Sequence, residues 1–131
     1  MCVHNAGRSQ MAAALFNAMA GGNAAATSAG TQPVDHVHDN VAAAMREVGL
    51  NVSYGKPRML TMEMLDQADR VITMGCGVEE ACPGAIVEAE DWGLPDPKDE
   101  SPQRVREIRA MVTVQVQALL RELGINPSLL A

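Results

Sequence analysis

Residues 70–74, Arg-Val-Ile-Thr-Met, form a short β-branched and apolar run that Gly75-Cys76-Gly77 breaks. A run of this kind has the look of a strand buried on both faces, as in a parallel sheet. Just before it, residues 61–67 read as a brief helix, with Thr61 as N-cap and Glu63 two residues on. After it, residues 85–92 are a weaker candidate for the last strand. Residues 101–123 are helical in pattern: Val105, Ile108, Val112, Val116, Leu119 and Leu123 recur at three- and four-residue spacing, and Gly124 terminates the run. Towards the amino end, residues 9–20 (SQMAAALFNAMA) are strong helix formers stopped by Gly21-Gly22. A short extended piece, 25–30, follows. A helix over 36–48 is expected next, with Val37, Val41, Ala44, Met45 and Val48 on one face and Gly49 at its end. Strands alternating with helices imply an α/β domain with a parallel sheet flanked by helices.

The chain of 131 residues fits one domain, here 1–131, with 47% hydrophobic and 20% charged residues, the balance of a soluble globular protein. No apolar run approaches the ~20 residues that span a bilayer. The formal charge of −6 would repel phosphate backbones, which argues against nucleic acid as a partner. With Phe16, Tyr54 and Trp92 as the only aromatics, the core must be Ala, Val, Leu, Ile and Met. Three cysteines do not make a disulfide scaffold; they point to a reducing, cytoplasmic setting where thiols do chemistry or pack as small hydrophobes.

The chemistry concentrates in Cys2-Val3-His4-Asn5-Ala6-Gly7-Arg8-Ser9. A Cys and an Arg six positions apart, with Ser next and a helix beginning at once, suit a thiol that attacks an oxyanion. The backbone N–H groups of the intervening residues can curl inward. Together with the helix N-terminus and the Arg fork, they would bind a tetrahedral dianion. The same positive field favours the Cys2 thiolate. Ser9 could donate a hydrogen bond to the sulfur and help it leave, and Gly7 permits close backbone approach.

Two further motifs supply what such a thiolate needs. In Leu94-Pro95-Asp96-Pro97-Lys98, an Asp between two prolines sits on a stiff loop, as a general acid would. In Gly75-Cys76-Gly77-Val78-Glu79-Glu80-Ala81-Cys82-Pro83, two cysteines six apart follow a strand end, where ligands bind in open α/β sheets. Buried structural thiols are the plain alternative to a resolving pair. No metal is expected, since zinc sites use shorter spacers and His4, His36 and His38 form no obvious set.

C-x5-R-S at the start of a helix, with Asp-Pro in a late loop, resembles the low-molecular-weight protein tyrosine phosphatase fold. The Arg8-Ser9-Gln10-Met11-Ala12 continuation and the 72–83 stretch are similar to the thioredoxin-coupled arsenate reductases of that superfamily. A tyrosine phosphatase of the group would more typically carry Pro at the position of Gln10 and an aromatic at that of Lys98. The resemblance implies a three-layer α/β sandwich and a relay. Cys2 attacks arsenate held by the loop 3–8 (Val3, His4, Asn5, Ala6, Gly7, Arg8), and Asp96 protonates the departing oxygen. Cys76 then releases arsenite, and Cys82 carries the disulfide to thioredoxin. A low-molecular-weight thiol or glutaredoxin system is the alternative reductant, and no bound cofactor is expected.

The resemblance also implies a strand directly before the nucleophile. With Met1 next to Cys2, this first strand is expected to be missing, the chain starting at an internal Met of a longer reading frame. A monomer is expected unless that drives strand swapping. Relatives that hold potassium pair a loop Asn with a Glu five residues after the Arg. Ala13 stands there, so Asn5 is expected to hydrogen-bond within the loop instead. Two other functions stay open: an aryl phosphomonoesterase, which would not need Cys76 and Cys82, and a non-catalytic oxyanion-binding redox protein.

Overall fold

A computed structural model describes residues 5–52, 56–75 and 90–127. Among them run α1 (Arg8–Ala20), α2 (Asp39–Arg46), α3 (Met62–Gln67), β1 (Ile72–Thr73), β2 (Glu90–Asp91) and α4 (Pro102–Glu122). β1 and β2 pair in parallel, Ile72 opposite Glu90 and Thr73 opposite Asp91. The architecture is an α/β sandwich, and no helix among the described residues is long and apolar enough to cross a membrane.

Helix ends follow local chemistry. Thr61 Oγ1 accepts from Met64 N at 3.2 Å, and Ser101 Oγ accepts from Arg104 N at 3.2 Å with Pro102 in the first turn of α4. Gly21 ends α1 in the left-handed region at φ 60°. The long α4 presents Val105, Ile108, Val112, Val116 and Leu120 to Met11, Leu15 and Met19 of α1 and to Val41 and Met45 of α2, all buried. Methionines fill what aromatic side chains would fill elsewhere, an adaptable packing.

Two expectations are corrected in detail. The helix expected over 36–48 begins only at Asp39, because His38 is extended (φ −59°, ψ 135°) and its N–H donates to Ala6 O at 3.0 Å. Val37 is buried from this extended entry, and Val48 lies beyond the helix. The run 70–74 is strand only at Ile72–Thr73: Arg70 is exposed and pairs with Glu90 and Glu122, so burial on both faces does not extend along it. Within 25–30, only Gly30 makes a bridge, to Met59. Ala26 is held instead by the Asn17 side chain, which bonds both its N–H and its carbonyl. A cavity of about 740 Å³ is lined by Ala12, Phe16, Ala26, Ile72, Trp92 and Val116 among others. Residues 85–89 lie outside the described residues, and the last strand is seen as Glu90–Asp91.

At the carboxyl end of α2, Glu47 locks that helix to α4. Arg106 grips it bidentately, Nε to Oε1 at 3.0 Å and Nη2 to Oε2 at 2.9 Å. Arg109 Nη1 donates to Glu47 Oε1 at 2.9 Å and to Ala44 O at 2.6 Å. The Arg106 and Arg109 hydrogen bonds hold the Glu47 carboxyl at about 2, below its usual 4.5. A carboxylate so depressed contributes stability that is full above pH 4.5 and is lost as pH falls towards 2. Glu47 is solvent-exposed, so salt screens the effect. In thermal melts across this acid range, Glu47→Gln should melt below wild type at neutral pH, with the gap closing towards pH 2 and narrowing in high salt.

Candidate active site

The amino end of α1 gathers the site. Three consecutive carbonyls are tied to the scaffold: Asn5 O accepts from Gln10 Nε2 at 3.1 Å, Ala6 O from His38 N at 3.0 Å, and Gly7 O from Met11 N at 3.0 Å. The chain has no cis peptide among its described residues. In a planar trans peptide the N–H points opposite to the preceding carbonyl. The N–H groups of Ala6, Gly7 and Arg8 are therefore each turned away from those partners, at a helix N-terminus. Backbone donors so arranged are of the kind that can bind an anion.

Asn5 sets the curl. It is fully buried at φ 52°, a left-handed conformation that Asn tolerates better than most residues. Its Oδ1 accepts from Arg58 N at 3.0 Å and Gln10 Nε2 at 3.2 Å, and its Nδ2 donates to Ser9 Oγ at 2.8 Å. No buried side-chain nitrogen or oxygen among the described residues lacks a partner. The loop shape is thus fixed by a closed polar network.

Arg8 joins this loop to the other two motifs. Its Nη1 donates to Met74 O at 2.5 Å and Leu94 O at 2.6 Å. Met74 lies at the end of β1, and Leu94 opens the Pro95-Asp96-Pro97 turn. Gly75 sits against this junction at φ 94°, where a Cβ would come within 3.0 Å of Leu94 O and 3.3 Å of Arg8 Nη1. Asp91 Oδ1 ties the strand end by accepting from Gly75 N at 2.7 Å and Thr73 Oγ1 at 2.8 Å.

The acid turn packs on the anion loop itself: a Cβ on Gly7 would lie 3.1 Å from Pro97 Cγ. Asp96 is exposed, and its Oδ1 accepts from Lys98 N at 3.0 Å. Asn40, on the first turn of α2, donates to Pro97 O at 2.8 Å and to Glu100 O at 3.3 Å.

Of the residues nominated from sequence, Asn5, Ala6, Gly7, Arg8, Ser9 and Asp96 are thus assembled at one end of the fold. Cys2, Val3, His4, Cys76 and Cys82 lie outside the described residues. Gln10, Asn40 and Arg58 were missed as supports. Gln10 stood in the quoted motif, but nothing local in the sequence tied Asn40 or Arg58 to residues more than 50 positions away. Among the described residues, no group of three His, Cys, Asp or Glu side chains is arranged to hold a metal.

Comparison with known proteins places this arrangement. The family model described as low molecular weight phosphotyrosine protein phosphatase matches residues 1–128. The chain belongs to that family. Within the low-molecular-weight phosphatase family, it is 36% identical over 127 residues to a Halobacterium salinarum protein provisionally named an arsenate reductase, covering 93% of this chain and 89% of the relative. It is 33% identical over 126 residues to the glutaredoxin arsenate reductase of a Synechocystis strain, covering 95% of each. A solved thioredoxin-dependent arsenate reductase from Corynebacterium glutamicum superposes with a TM-score of 0.75 at 35% identity; the match covers 94% of this chain and 59% of that one.

Gly75 gives the sharpest test of the junction, because it meets backbone atoms on one side and the guanidinium on the other. Gly75→Ala should lower unfolding stability by ~1–3 kcal/mol, from the left-handed strain and the backbone clash. Urea denaturation of the two proteins measures it.

Proposed function

We propose that this protein is an arsenate reductase in which Cys2 is the nucleophile and Cys76 and Cys82 are the resolving thiols. The observation that carries the reading is the single Arg8 guanidinium, bonded at once to the residue before Gly75 and to the first residue of the Leu94–Lys98 turn. Arg8 thereby brings the anion loop, the strand end that leads into Cys76 in the chain, and the acid turn to one point. Relatives over nearly the whole chain carry the arsenate reductase name.

The steps follow from these groups. Arsenate enters the concavity of the Ala6, Gly7 and Arg8 amides, with the Nε and Nη2 hydrogens of Arg8 available to its oxygens. Preorganised donors of this kind stabilise charge on the oxyanion without reorganisation. The Cys2 thiolate displaces the hydroxyl of monoprotonated arsenate, which takes a proton from Asp96 and leaves as water. Cys76 then attacks the Cys2 sulfur. The S–As bond breaks and its electron pair goes to arsenic, so As(V) becomes As(III) as two thiols become one disulfide. The Ser9 hydroxyl, which accepts from Asn5 Nδ2, is assigned the role of assisting the departing sulfur. Cys82 next attacks Cys76, frees Cys2 and leaves a Cys76–Cys82 disulfide by thiol–disulfide exchange. Thioredoxin is the proposed reductant, supported by the thioredoxin-dependent structural relative; the glutaredoxin name of the Synechocystis relative sets the competing donor for the assay.

Fully reduced protein mixed with excess arsenate, with no other thiol present, should release one arsenite per chain and yield a Cys76–Cys82 disulfide by peptide mapping. Cys2→Ser should abolish both. Intact thiols in folded wild-type protein would refute the reductase reading and advance hydrolysis of aryl phosphates, which the same cradle could support. Arg8→Lys keeps the charge but cannot hold both carbonyls and the oxyanion. It should lower kcat/KM for arsenate by about 10²-fold, the usual scale for losing a preorganised oxyanion donor.

A further inference from the structure

We infer that Asn40 is a positioning residue for the general acid, and this rests on the reaction proposed above. Asp96 is exposed, and the bond its Oδ1 accepts from Lys98 N is local to its turn. The aim of its carboxyl therefore depends on what holds residues 96–100 against the anion loop. The turn is closed internally by Glu100 N donating to Pro97 O at 3.1 Å. Asn40 Nδ2 bonds both ends of that turn, Pro97 O at 2.8 Å and Glu100 O at 3.3 Å. Two residues earlier on the same chain, His38 N donates to Ala6 O of the anion loop at 3.0 Å.

The start of α2 is thus a bracket. One arm grips the loop that holds the oxyanion and the other grips the turn that carries the acid. The Pro97 ring against Gly7 supplies contact between loop and turn, but an apolar contact does not fix their register as a directed pair of hydrogen bonds does. Displacements of about 1 Å in a catalytic group can cost about 10²-fold in rate. The Glu100 carbonyl lies at an exposed bond, and the part-buried Pro97 carbonyl keeps the Glu100 N–H as a donor when Asn40 is lost, so stability stays nearly unchanged.

The experiment is single-turnover disulfide formation with arsenate, followed in wild type, Asn40→Ala, Asp96→Asn and the double variant. Asn40→Asp serves as a second probe: it keeps the shape and removes the donor. Both Asn40 variants should react about 10-fold more slowly, part of the 10²–10⁴ that a positioned general acid supplies. The half-saturating arsenate concentration and the melting temperature should stay at the wild-type values. In the Asp96→Asn background, Asn40→Ala should cause no further loss, since residues acting as a unit are non-additive. Wild-type rates in both Asn40 variants, or the same fold-loss with Asp96 already replaced, would overturn the inference. An Asp96→Asn protein as fast as wild type would overturn it too, by removing the acid. Wild type inert towards arsenate would fail the functional reading itself, and this inference with it.

Discussion

One guanidinium holds the site together. Arg8 is the first residue of α1, yet the two carbonyls on its Nη1 belong to residues 66 and 86 positions further along the chain. Hydrogen bonds with an ionised donor are roughly twice as strong as neutral ones, and these two lie in a partly buried setting. They leave the carbonyls of Met74 and Leu94 committed to the anion loop. The end of the sheet and the acid turn are therefore placed relative to the oxyanion site by the same side chain that would bind the oxyanion. Recognition and assembly are coupled through one residue.

The anion loop needs an equally firm base, because donors that are to face a ligand must be turned away from the protein. The chain does this through the carbonyls. With Asn5 O and Gly7 O engaged by Gln10 and Met11 of α1, and Ala6 O by His38, the three peptide planes are held and the N–H groups that follow are turned away from those partners. Asn5 in the left-handed region makes the turn of the loop possible, and Gln10, Arg58 and Ser9 hold its side chain. A buried polar network of this kind is stable only when complete. The packing of α1 and α2 on α4, with the Glu47–Arg106–Arg109 cluster at the far end of α2, then sets where His38 and Asn40 meet the loop.

The distinction between reductase and phosphatase chemistry rests on the sulfur inventory more than on the cradle. Phosphate and arsenate have the same tetrahedral shape and charge pattern, so an amide concavity with an Arg fork accepts either. A hydrolase needs one thiol; a two-electron reduction that discharges to an external reductant uses Cys2, Cys76 and Cys82 together.

By itself, the sequence determined whatever depends on neighbours along the chain. Thr61 and Ser101 as caps, Gly21 as a terminator, the apolar spacing of α4 and the C-x5-R-S motif are local chemistry, legible without a fold. The α/β class followed from the alternation of such elements. Tertiary structure decided what depends on distant partners. The start of α2 slid to Asp39 because the His38 N–H is drawn to Ala6 O, a competition invisible at 36–48 alone. The 25–30 segment makes one described bridge, Gly30 to Met59, and Ala26 is held by the Asn17 side chain, pairings that no local pattern announces. Asn40 and Arg58 gained their roles only when folding brought them to the acid turn and the loop. Propensity and capping act over a turn of helix, whereas the direction of a hydrogen bond between segments exists only once the core has packed.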